Sequence, residues 1–97
     1  MENAQEEIII NFSLRESRSV ALNDGNIIGY CQYKEENNVW SITHTVVKQE
    51  FGGRGIAKRL VLAVIEEARK QNKKINPICS YPKKMMESSD EYKDVIQ

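Results

Sequence analysis

An α+β fold is the class this sequence predicts: an antiparallel four-stranded meander, one long helix, a fifth strand and short C-terminal helices. Three observations predict it. Up to residue 47, short apolar runs alternate with turn residues, as in successive hairpins. From residue 56 the apolar spacing changes to that of a helix. After that helix a short apolar run carries Pro77, a residue that cannot be hydrogen-bonded on both sides as a central strand is.

Glu7 to Phe12 reads as the first strand, because Ile8, Ile9 and Ile10 are β-branched and favour extended backbone. Ser19 to Asn23 and Asn26 to Lys34 flank Asp24-Gly25, a dipeptide that tolerates the positive φ angles of a tight hairpin turn. Glu35 to Asn38 makes the second turn. Val39 to Val47 is a longer strand, whose strict alternation puts Trp40, Ile42, His44 and Val46 on one face and Thr43, Thr45 and Val47 on the other.

Ile56, Ala57, Leu60, Val61, Val64, Ile65 and Ala68 then trace one face of a helix that lies on the sheet. Glu66 and Lys70 stand four apart on its polar side, a spacing that suits an ion pair of about 0.2–0.5 kcal/mol. Asn72 suits the left-handed residue that ends such a helix. Lys74 to Cys79 forms the fifth strand, at an edge or a gap on account of Pro77. Ser80 before Tyr81-Pro82 reads as a cap and helix start, and Ser88 with Glu91 has the spacing of a capping box.

The 97 residues are expected to serve one unit, 1–97, with a thin core. Apolar residues at 40% and charged residues at 29% are ordinary globular values. Basic and acidic residues balance at 14 each, so no global positive field draws the chain to nucleic acid or anionic lipid. No apolar run approaches the ~20 residues of a membrane span, and the acidic start lacks a secretory signal, so a cytoplasmic location is expected. Cys31, Cys79 and His44 have neither the number nor the spacing of a disulfide framework or a metal site, which predicts free thiols and no bound metal.

The loop Phe51-Gly52-Gly53-Arg54-Gly55-Ile56-Ala57 leads into the long helix. Glycines let an anion approach the backbone, N–H groups point outward at a helix start, and the helix dipole adds roughly half a positive charge there. A pyrophosphate fits that description, although the same glycines also suit a tight strand-to-helix turn. The loop lacks the Gly-Lys-Ser/Thr ending of a P-loop and the full G-x-G-x-x-G dinucleotide fingerprint.

A strand ending in Val47, followed by Lys48-Gln49-Glu50-Phe51 and then Gly52 to Ala57 entering a helix, resembles the acetyl-CoA motif of the GNAT superfamily of N-acetyltransferases, Arg/Gln-x-x-Gly-x-Gly/Ala. Gly55 and Ala57 fill its last two positions, and Gly52 stands where Arg or Gln is usual. With His44-Thr45 and Pro77 to Tyr81, the resemblance extends over Glu7 to Tyr92 and is to minimal members of about a hundred residues.

That resemblance implies a GNAT-like sheet splayed between the motif strand and the next, with acetyl-CoA bound and CoA released. It also implies that the backbone around Val46 and Val47 faces the acetyl and pantetheine groups, while the loop, including Arg54 and Ile56, holds the pyrophosphate. Lys58 and Arg59 either meet the outer phosphates or form a solvated helix face.

Acetyl transfer needs a nucleophile, a proton acceptor and oxyanion donors. Cys79 is the candidate nucleophile, since a helix start and Lys83 and Lys84 beside it stabilise negative charge on sulfur; the alternative is a small buried thiol. His44 is a candidate base or orienter of Cys79, or else a hydrogen-bonded core residue. The resemblance implies that Tyr81, just past the fifth strand, is the candidate acid for the departing thiolate, with Tyr92 an open alternative, and Cys31 is core.

The acceptor is expected to be an amine, small or on a protein, and the sequence does not rank the choices. The resemblance implies a pair of helices between the first two strands that helps build the acceptor pocket; here only Ser13 to Arg18 separates them, so an acceptor site must be shallow, borrowed from a partner or formed by an oligomer. The rival readings are a non-catalytic acetyl-CoA or CoA-binding module and an interaction domain in which the glycine turn is purely structural.

Overall fold

The structure, a computed structural model, describes residues 7–97. Strands β1 (Ile9–Ser13), β2 (Arg18–Asn23), β3 (Asn26–Glu36) and β4 (Val39–Val47) form an antiparallel meander. Helix α1 (Ile56–Lys70) crosses one face, β5 (Lys74–Pro77) pairs parallel to β4, and α2 (Ser80–Glu87) follows. The sheet order β1-β2-β3-β4-β5 follows the chain.

Local chemistry explains the meander. Asp24 and Gly25 both take positive φ, the geometry of a tight hairpin turn. The second turn is tighter than expected: β3 runs through Glu36, and Asn37 and Asn38 alone make the corner at φ of 55° and 66°. Lys73 holds that corner against the start of β5, its Nζ 2.6 Å from Glu35 Oε2 and 2.9 Å from Asn38 Oδ1.

The core lies between the sheet and α1. Leu60, Val61, Val64, Ile65 and Ala68 on the helix meet Ala21, Cys31, Trp40, Ile42 and Ile75 on the strands. Fully burying a branched aliphatic side chain contributes about 1.5–3 kcal/mol. Buried Ser19 spans the two layers, its hydroxyl donating to the Leu60 carbonyl at 2.8 Å. Tyr33 and Trp40 stack with ring centroids 4.0 Å apart, and Phe12 lies against both.

The alternation read for β4 breaks in the middle. Gln32 pairs with His44 while Tyr33 pairs with Ile42, which leaves Thr43 as the extra residue of a β-bulge. One inserted residue inverts every later side chain. Trp40 and Ile42 face the core, as do Thr45, bonded to Cys31 Sγ at 3.7 Å, and half-buried Val47. His44 and Val46 are exposed, so His44 does not share the face of Trp40 and Ile42.

Other local readings also change. Glu66 does not pair with Lys70; Arg69 takes Glu66 at 3.2 Å while Lys70 approaches Glu67 at 3.9 Å, both three residues apart. Cys79 rather than Ser80 is the N-cap of α2, because the chain is still extended there. Ser89 rather than Ser88 caps the final 3-10 turn, accepting from the Glu91 amide, whereas Ser88 donates to the Met85 carbonyl. Asn72 ends α1 in the left-handed region as its side chain suggests. No helix among the described residues is long and apolar enough to cross a membrane.

Candidate active site

The site begins where β4 and β5 part. Their pairing runs from Val39 opposite Lys74 to Ile42 opposite Pro77 and stops. The Ile42 carbonyl then receives two amides, from Ile78 at 3.1 Å and Cys79 at 3.0 Å, and the chain turns into α2. Beyond this point, among the described residues, Thr43 to Val47 has a strand, β3, on one side only. Pro77 stands at the parting, where its missing N–H costs no ladder bond.

The glycine loop closes one end of this gap. After a 3-10 turn (Gln49–Phe51), Gly53 and Gly55 take φ of 76° and 77°, and a Cβ at either would meet nothing within 4 Å. Gly55 is the N-cap of α1, with its carbonyl accepting from the Arg59 amide at 3.2 Å. Among the described residues, the amides of Gly53, Gly55, Ile56 and Ala57 donate to no protein group. The Gly52 amide differs from what the loop suggested: it donates to the Gln49 carbonyl at 3.0 Å and is spent inside the turn.

A cleft of about 210 Å³ lies over these amides, lined by Phe51 to Gly53, Gly55 to Ala57, Val47 at the end of β4 and Tyr81 in the first turn of α2. The fold thus brings together Tyr81, Val47 and most of the loop. Phe51, absent from the candidate residues, also lines it, and the Arg54 guanidinium lies 5.2 Å from its ring centre. Its place directly before the glycine pair was the available signal.

The remaining candidates lie around this cleft. Cys79 is half buried and packs against the core. His44 points to the outward face, with Nδ1 3.0 Å from Thr43 Oγ1, in an open groove shared with Gln32 and Glu16. No hydrogen bond joins His44 to Cys79 among the described residues. Val46 is 44% exposed, and Lys58 is exposed on the first turn of α1.

Arg59 turns away from the loop to bond the Ile8 carbonyl at 3.1 Å. Tyr92 is buried beneath Arg69, 5.8 Å from the guanidinium, and burial pushes its phenol up. Cys31 is wholly buried, and desolvation raises its thiol to about 12.

Comparison with known proteins agrees with this geometry. Residues 13–95 match the family model of the GCN5-related N-acetyltransferases. A GCN5-like candidate N-acetyltransferase from Staphylococcus aureus, solved by NMR, is 35% identical with a TM-score of 0.72, over 98% of this chain and 91% of that one. A candidate GNAT-family acetyltransferase from Staphylococcus aureus is 26% identical with a TM-score of 0.56, over 60% of this chain and 51% of its own. A GNAT-family N-acetyltransferase from Escherichia coli, crystallised with CoA, shares the fold at 22% identity and a TM-score of 0.54, over 58% of this chain and 35% of its own. This chain therefore spans about half or less of those two larger proteins. No curated protein matches it. A family model that spans both the cleft and the parted strands, with a full-length structural match, makes this chain a member of the GCN5-related N-acetyltransferases, a family of enzymes that use acetyl-CoA.

Proposed function

We propose that this protein binds acetyl-CoA with the amides of Gly53, Gly55, Ile56 and Ala57 and transfers the acetyl group to an amine acceptor. One observation carries the reading: four amides without a protein partner among the described residues sit at the positive end of a 15-residue helix and open into a cleft. A diphosphate meets both requirements of such a place, negative charge and several acceptor oxygens. The open space beside Gly53 and Gly55 lets it approach.

When bound, acetyl-CoA supplies an acyl group already activated as a thioester. The protein's part is to position and to move protons. Backbone groups of Val46 and Val47, on the stretch of β4 that β5 has left, orient the acyl end. Tyr81, which lines the cleft, supplies its hydroxyl proton to the departing thiolate. Cys79, at the N-cap of α2, receives the acetyl group or lines its pocket. His44 takes the acceptor's proton on the outward face, a role its exposure suits better than contact with Cys79.

Calorimetry with acetyl-CoA tests the cradle: wild type binds in the micromolar range and Gly55→Val does not. Release of free CoA with an added amine tests transfer, and Tyr81→Phe lowers its rate while leaving binding intact. Intact-mass measurement under single-turnover conditions shows one acetyl on Cys79 if that thiol is an intermediate. A non-catalytic acetyl-CoA-binding module is the second reading, favoured by the Leu14–Ser17 connection, too short to build an acceptor wall. Saturable binding with no CoA release would establish it.

A further inference from the structure

We infer that β1 is a docking edge for a second copy of this chain: two sheets join antiparallel through β1 about a two-fold axis at Asn11. The two edges of the sheet are treated very differently. At the β5 edge, Pro77 removes a donor, and the Ile75 amide and carbonyl are taken by Val95 and Gln97. These are ways of blunting an edge. At the β1 edge, Ile9 to Ser13 contains no proline and no charge, and it pairs with β2 without a register shift.

Alternate residues of such a strand turn N–H and C=O away from their one neighbour. Among the described residues, no group pairs with the outer side of Ile9–Ser13; Arg59 takes only the Ile8 carbonyl just before it. A regular, uncharged edge without proline is a template for another strand.

Self-complementarity selects a second copy as that strand. Antiparallel pairing about Asn11 sets Ile9 against Ser13, Ile10 against Phe12 and Asn11 against its own equivalent. Residues of like parity then meet, so both α1 helices stay on one side and outward-turned groups face outward-turned groups. The same register brings Glu7 of each copy beside the turn that holds Arg15 of the other, and neither residue has an ion partner among the described residues. With one bare edge per chain among the described residues, the assembly closes at two. The candidate clefts, beyond β4, remain open.

Sedimentation velocity on the whole chain from micromolar to millimolar concentration tests the pairing, with a reversible dimer expected. Asn11→Lys places two ammonium groups opposite each other on the axis and should weaken the dimer about tenfold or more, without loss of helix or sheet signal. Should that variant misfold, Glu7→Arg and Arg15→Glu serve: each alone weakens association about three- to tenfold, and mixing the two restores it because opposite charges then meet. A monomer at every concentration, assemblies larger than two, a dimer indifferent to these changes, or no restoration on mixing would each overturn the inference.

Discussion

The two halves of β4 share a strand and differ in everything else. Val39–Ile42 is hydrogen-bonded to β3 on one side and β5 on the other, and it sends Trp40 and Ile42 into the core. Thr43–Val47 keeps only β3, begins with a bulge and ends in the candidate cleft with Val47. The first half is held by packing and a full ladder. The second is left with backbone groups facing a gap, which is where a ligand's polar groups can be bonded in place of a missing strand. A strand buried on one side of the bulge and open on the other thus anchors and displays at once.

Four changes sharpen that contrast. Trp40→Ala should have the largest effect: it removes a fully buried ring stacked on Tyr33, at a cost of about 3–5 kcal/mol in denaturant unfolding. Gly55→Val forces a β-branched residue to positive φ, costing about 1–3 kcal/mol, yet it should weaken acetyl-CoA binding by well over tenfold, as calorimetry would read. If Gly55→Val lowered stability but left binding intact, the loop would be a turn and nothing more.

Cys31 probes the boundary beneath Thr45. The folded protein holds the Cys31 proton to about 12, while the unfolded chain releases it near the ordinary value of 9.0. Its contribution is therefore fully present below pH 9 and is lost as pH rises from 9 toward 12, by at most about 1.4 kcal/mol per pH unit. Cys31→Ala should be less stable at neutral pH but should lack this share of the alkaline slope in unfolding titrations. Smallest of all, Val46→Ala on the exposed face should shift stability by less than about 0.5 kcal/mol. A loss of several kcal/mol there would mean that the outward half of β4 is covered in solution.

Much of the candidate site was legible because it is written in short-range chemistry. Asp24-Gly25, Asn72 and the helix from Ile56 to Lys70 depend on residue preferences and spacing, and each stands where read. The glycine loop was legible for the same reason, since Gly53 and Gly55 do take the left-handed region. His44 was misplaced because a β-bulge leaves no mark in an alternating sequence; whether Thr43 is paired or extruded depends on β3 opposite it. The partners of the Gly52 amide and the Arg59 guanidinium, the Gln49 carbonyl and the Ile8 carbonyl, were not legible because they are set by the turn and by the packing of α1 on β1.

Pattern and composition by themselves determined the meander, the helix, the glycine loop and the likeness to an acetyl-CoA-binding family. Tertiary structure alone decided which tyrosine reaches the cleft, which face carries His44, and how the two edges of the sheet differ. The division has a physical cause. Dihedral preference and periodicity act over a few residues, whereas bulges, burial and the meeting of α2 with the loop arise from contacts between segments far apart in the chain.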